Sequence, residues 1–128
     1  MQMALVREAV NIVAEGIADA EDVELVSRLG FGLRLPAYGV LEHMDMVGLE
    51  LAQAICDYVC RDLNNEPRAP QLFEEKLARG ETGAAAGRGF LDWTGKTKAQ
   101  VAARRDAFII ECLRGGIVKA AAGSTSAA

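Results

Sequence analysis

GFGLRLPAYGVLEHMDMVGLE, residues Gly30 to Glu50, decides how this chain folds. Glycines, a proline, a tyrosine and the sole histidine crowd together here, between segments with helical spacing. Gly30, Gly32 and Gly39 can take φ > 0 at little cost, while Pro36 fixes its own φ and biases Leu35 toward an extended backbone. The spacing therefore predicts a broken connection, and then a new helix through Val40, Leu41, Met44 and Val47. In a helical protein such a connection is where a pocket or a partner contact is expected.

Upstream, Leu5, Val6, Ala9, Val10, Ile12, Val13 and Ile17 mark one broad face of a helix over residues 3–17, which Gly16 stops. Arg7, Glu8, Asn11 and Glu15 fall on its other side. Asp19 is an N-cap for a helix from Ala20 to Leu29, whose Val23, Val26 and Leu29 should point inward. Downstream, Gly48 interrupts, and Leu51, Ile55, Val59 and Leu63 predict a helix over 49–63. NNEPRAP (64–70) reads as a loop, with Pro70 opening a helix that ends at Gly80. The glycine-rich segment 80–95 follows, in which Phe90, Leu91 and Trp93 should anchor the loop to the core. A last helix is expected over 96–113, and the tail from Gly115 is expected to fray. The pattern is all-α, about six helices, with residues 1–114 as one helical domain and 115–128 as tail.

Composition agrees. Hydrophobic residues make up 51% and aromatics only 5%, a mixture that suits close-packed helices better than β-sandwiches. A net charge of -4 leaves no basic face for phosphates, so no nucleic-acid partner is expected. No apolar run approaches the roughly 20 residues of a membrane span, and Arg7 and Glu8 break any leader-like opening. A cytoplasmic protein with no membrane partner is expected. Three cysteines make no disulfide framework; Cys56 and Cys60 read as buried thiols in a reducing compartment. With His43 on another segment they are too few for a metal site, so no metal is expected.

Candidate chemistry is sparse. GAAAGRG (83–89) has the look of a phosphate cradle, but it lacks the lysine–hydroxyl ending and no strand precedes it, so a tight surface turn is the simpler reading. His43, with Glu42, Asp45 and Asp57 nearby, could suggest acid–base work, yet neighbours one and two apart on a helix face different ways. Arg34 could meet a carboxylate or phosphate, or equally bridge to an acidic helix start. Tyr38 beside Gly39 could line an apolar pocket or close the turn. Arg104 and Arg105 read as a solvated face.

The ordered set ADAEDVELVSRLGFGLR, GVLEHMDMVGLEL, PQLFEEKLARGETG and GRGFLDW, behind an apolar opening helix, resembles the C-terminal helical domain of NAD-dependent 3-hydroxyacyl-CoA dehydrogenases. Gly39, Glu42, Asp45, Gly48 and Leu49 match one family pattern; Gly83, Gly87, Gly89 and Phe90 match another. Coverage runs from about residue 2 to Trp93. Val40 stands where the family has proline, Ala85 and Ala86 replace a lysine and a hydroxyl residue, and Leu91 replaces tyrosine.

The resemblance implies the helical fold of the 6-phosphogluconate dehydrogenase C-terminal-domain-like class, and a role in dimerisation and in walling the acyl-substrate cleft. The candidate lining is Arg34, Leu35, Pro36, Tyr38 and Gly39. It implies fatty acid metabolism, an acyl-CoA substrate and NAD held by a Rossmann domain, which is expected to be absent from this chain together with the catalytic residues. No catalytic, cofactor-binding or metal residue is therefore assigned here. The expected partners are a second copy or a Rossmann-domain chain. Two alternatives are a non-catalytic homodimerisation module and the same domain from a carnitine- or gulonate-type hydroxy-acid dehydrogenase.

Overall fold

The computed structural model describes residues 1–116. Its helices are α1 (Gln2–Ala14), α2 (Ala20–Leu29), the single turn α3 (Phe31–Arg34), α4 (Val40–Val47), α5 (Leu49–Val59), α6 (Gln71–Ala78) and α7 (Lys98–Arg114). Between α6 and α7 lie a three-residue 3-10 turn, Ala84–Ala86, and two isolated antiparallel bridges, Gly83 with Arg88 and Arg88 with Asp92. Six helices of eight residues or more make the fold all-α, as the apolar spacing predicts. No helix among the described residues is long and apolar enough to cross a membrane.

Local chemistry sets most of the ends. The Asp19 carboxylate accepts the Asp22 N–H (2.8 Å) at the start of α2. Thr97 and Gln100 form a reciprocal capping box at the start of α7, which moves that start from the expected Lys96 to Lys98. α1 ends where Gly16 N–H meets the Val13 carbonyl and Ile17 N–H meets the Ile12 carbonyl. Pro70 is the residue before α6 rather than its first turn, with an extended ψ of 137°.

The connection 30–39 departs from expectation. Phe31–Arg34 forms a helical turn, and Leu35 stays helical (φ -57°, ψ -33°) despite the proline after it. The Leu35 N–H bonds the Gly32 carbonyl, and the Arg34 carbonyl takes the N–H groups of Ala37 and Tyr38, so the turn outweighs the proline's steric bias. Gly30, Gly32 and Gly39 have no positive φ. Gly32 is needed for closeness instead: a Cβ there would lie 2.0 Å from the Ser27 carbonyl oxygen. That contact lets α3 fold against the end of α2.

α1 packs on α2, α2 on α3, and α4 on α5. α5 stops at Val59 rather than Leu63 because Asn64 is held elsewhere. Its N–H donates to Glu8 (3.0 Å) and its side-chain amide to Asn11 (2.8 Å), both on α1. Arg7 donates to the Glu66 carbonyl (3.2 Å). The polar row of α1 is thus half-buried under the 64–70 loop, not free in solvent.

The core is small. Among the described residues only Val10 and Ala52 are buried hydrophobics. Val26 and Leu29, expected inward, are 61% and 56% exposed, and Cys56 and Cys60 are exposed as well. These side chains lie on helix faces that the described residues leave open.

Gly48 joins α4 to α5 alone, at φ 96° and ψ 131°, a region that side chains with a Cβ rarely enter. Gly48→Ala is expected to cost about 1–3 kcal/mol, read by urea unfolding at fixed protein concentration. Gly39→Ser, at an extended helix-cap position, should be neutral or gain a few tenths of a kcal/mol.

Candidate functional site

The predicted turn carries an exposed Arg34, which makes no ion pair among the described residues, so of its two alternative readings the bridge to an acidic helix start is not formed there. Leu35, Pro36 and Gly39 are exposed, and Tyr38 is half-buried. The Tyr38 ring stacks on His43 with centroids 5.4 Å apart and planes 23° apart, tying the turn to the first coil of α4. His43 Nδ1 is buried and has no hydrogen-bond partner among the described residues. Glu42 and Asp45 are exposed and make no hydrogen bond to it, so no acid–base pair is assembled.

A groove forms elsewhere. α1, α2, α6 and the 81–93 loop enclose about 520 Å³, lined by Val6, Val10, Val23, Phe73, Phe90 and Trp93 among others. None of Arg34, Leu35, Pro36, Tyr38 or Gly39 reaches it. Its outer wall is the glycine-rich loop, fastened by Phe90 packing edge-on against Phe73 of α6 at 5.2 Å. The anchoring role of Phe90 was legible in the sequence; the groove, which needs three helices in register, was not.

One polar clamp holds that wall. Lys76 Nζ donates to Glu81 Oε2 (2.8 Å) and to the Gly89 carbonyl (2.9 Å), and lies 5.3 Å from the Phe90 centroid. Gly89 itself is buried, and a Cβ there would meet Gly83 Cα at 2.9 Å. Just past Gly80, the Glu81 N–H closes α6 on the Lys76 carbonyl (2.9 Å). The Lys76 hydrogen bond is the main cause that holds the Glu81 carboxyl below its ordinary range, with Arg79 (3.4 Å) adding to it. Asp92 is likewise lowered, first by the Thr94 N–H that it accepts at 2.8 Å.

The loop's glycine amides are spent internally. Gly83 N–H meets the Arg88 carbonyl, Gly87 N–H the Ala84 carbonyl, and Gly89 N–H the Leu91 carbonyl. A pyrophosphate cradle needs such N–H groups pointing outward, so these three glycines do not form one. No cluster of three or more His, Cys, Asp or Glu suited to a metal ion occurs among the described residues. The groove offers apolar surface, with Lys76 and Glu81 of its lining already paired to each other.

Comparison with known proteins adds the following. Residues 1–93 match the family profile described as 3-hydroxyacyl-CoA dehydrogenase, C-terminal domain. The chain is 31% identical over 102 residues to 5-formyl-3-hydroxy-2-methylpyridine 4-carboxylate 5-dehydrogenase of Mesorhizobium japonicum, covering 79% of this chain and 33% of that protein. It is 29% identical over 96 residues to a probable 3-hydroxybutyryl-CoA dehydrogenase of Bacillus subtilis, covering 74% of this chain and 32% of the relative. A crystal structure of the pyridine-carboxylate dehydrogenase, described as an NAD+-dependent dismutase, superposes with a TM-score of 0.79 at 29% identity, covering 90% of this chain and 38% of that one. The chain therefore spans about a third of the length of the relatives it matches.

Glu81 should give the loop a measurable acid response. Its folded pKa lies below its unfolded one, so its stabilising effect is present above the ordinary carboxylate pKa of about 4 and is lost as pH falls through the folded value. Glu81→Gln is expected to be less stable than the parent at pH 7. That gap should shrink as the pH is lowered below about 4, read by urea midpoints across the range.

Proposed function

This chain belongs to the 3-hydroxyacyl-CoA dehydrogenase family as its C-terminal domain, and on that premise we propose that it is the helical substrate-binding and dimerisation domain of an NAD-dependent oxidoreductase. The observation that carries the reading is apolar surface left open on α4, α5 and α7. Leu41 is 80% exposed and Leu49 63%, with Leu51, Ile55 and Tyr58 of α5 exposed beside them. A compact 13.6 kDa monomer exposes roughly 6,600 Å², whereas this chain exposes 10084 Å². Residues 117–128 can account for at most roughly 1,500 Å² of the excess, the exposure of a fully unfolded segment that long. About 2,000 Å² per copy remains, which matches the interface of an obligate homodimer.

In the complete enzyme, hydride would pass between a hydroxyl-bearing carbon and NAD on groups outside this domain. The domain's own share is to wall the substrate cleft with the Arg34–Gly39 turn. Arg34 has no ion-pair partner among the described residues to release before it meets an anion, and the Tyr38–His43 stack holds the turn's shape. An acyl-CoA substrate is the first reading, supported by the family match. A free hydroxy acid is the second reading, supported by the likeness to a dehydrogenase named for a pyridine carboxylate.

Light scattering at micromolar concentration should return a dimer, and Leu49→Asp with Ile55→Asp should return monomers; a monomeric parent would remove the dimerisation role. Combined with an NAD-binding domain of the family, the chain should support NADH oxidation by acetoacetyl-CoA or by a free keto or aldehyde acid, and competition between the two classes decides the substrate. In that assembly Arg34→Ala should raise KM about fivefold, equivalent to about 1 kcal/mol, with kcat unchanged. An unchanged KM would take Arg34 out of the cleft.

A further inference from the structure

We propose that α7 of each copy lies in the α1–α2–α6 groove of a second copy, so that two chains exchange their last helices. The inference rests on the dimer reading above and names the elements that meet. α7 spans about 25 Å at 1.5 Å per residue and is fixed at its start by the Thr97–Gln100 capping box. One side of it carries Val101, Phe108, Ile109, Cys112 and Leu113 at helical spacing. Phe108 is 61% exposed, Leu113 55% and Ile109 47%, with Val101 and Cys112 half-buried, so most of the stripe has no cover among the described residues.

The groove is the complementary feature. It is apolar, about 520 Å³ in volume, and no residue of α7 lines it. Trp93 forms part of its wall, and only residues 94–97 separate that wall from α7. Within this link the Lys96 N–H bonds the Trp93 carbonyl, and the Lys96 ammonium sits 5.0 Å from the Trp93 ring centroid. A link so short and so held favours insertion into a neighbour over return to its own groove.

Charge agrees with this pairing. On α7, Lys98, Arg104, Arg105 and Arg114 outnumber Asp106 and Glu111. On α2 and its cap, Asp19, Glu21, Asp22 and Glu24 outnumber Arg28, Asp19 and Glu21 border Lys76 and Arg88, and Glu24 lies on the groove's rim with no ion pair among the described residues. Stripe and groove belong to the same chain, so a two-fold arrangement satisfies both twice and closes the assembly. The area left open per copy is that of an obligate dimer, larger than a single helix face would need.

The test places p-benzoyl-phenylalanine at position 108 and mixes ordinary with nitrogen-15-labelled chains before irradiation. Covalent dimers joining light to heavy chains, with the cross-link mapped to residues 2–29 or 71–93, are expected. Cross-links within one chain, cross-links to residues 40–59, or a dimer by light scattering with no cross-link would overturn the exchange while leaving dimerisation intact. A chain that is monomeric throughout would remove both. Independently, Phe108→Asp should weaken dimerisation at least tenfold with helical circular dichroism retained; unchanged association would also overturn the proposal.

Discussion

Apolar side chains that the protomer cannot bury are the constraint from which its other features follow. Fully burying a leucine or isoleucine is worth roughly 1.5–3 kcal/mol, and folded domains are stable by only about 5–15 kcal/mol in all. A helix such as α5, with Leu51, Ile55 and Val59 open to water, forfeits several such contributions within one element. Helices this short are marginal by themselves and draw most of their stability from an apolar face that is packed. On the reading proposed here a second copy supplies that packing, so folding and association would be one event.

What the protomer does close is α1. Its apolar side meets α2 and the groove, and its polar side is tied by Glu8 and Asn11 to Asn64 and by Arg7 to the Glu66 carbonyl. Buried or half-buried polar groups are costly unless paired, and here pairing fixes where a loop lies. Lys76 acts similarly on the other side, drawing Glu81 and the Gly89 carbonyl onto α6 so that Phe90 reaches Phe73. The α1 ties reach across more than 50 residues of sequence, the Lys76 clamp across 5 and 13, and the clamp holds the groove's outer wall.

Much of this was legible residue by residue. Asp19 capped α2 over the expected Ala20–Leu29, and Gly48 separated α4 from α5 as the break in spacing indicated. The Thr97–Gln100 box was present in the sequence and goes unread if only apolar spacing is followed. Leu35 escaped because a preceding-proline bias of modest size lost to hydrogen bonds at Gly32 and Arg34. Cys56, Cys60, Val26 and Leu29 escaped because an apolar stripe states that a face wants cover, not which molecule provides it. The Arg34–Gly39 turn stands where expected, but the groove that the structure builds lies elsewhere.

Helix identity, the glycine breaks and the family were determined by sequence alone, since capping, spacing and glycine placement act within a few residues of one another. The half-burial of α1's polar row, the Lys76–Glu81–Gly89 clamp and the groove were decided only by the tertiary structure. Each includes a contact between residues more than ten apart in sequence, and no local pattern encodes which of several apolar or polar rows will find the other.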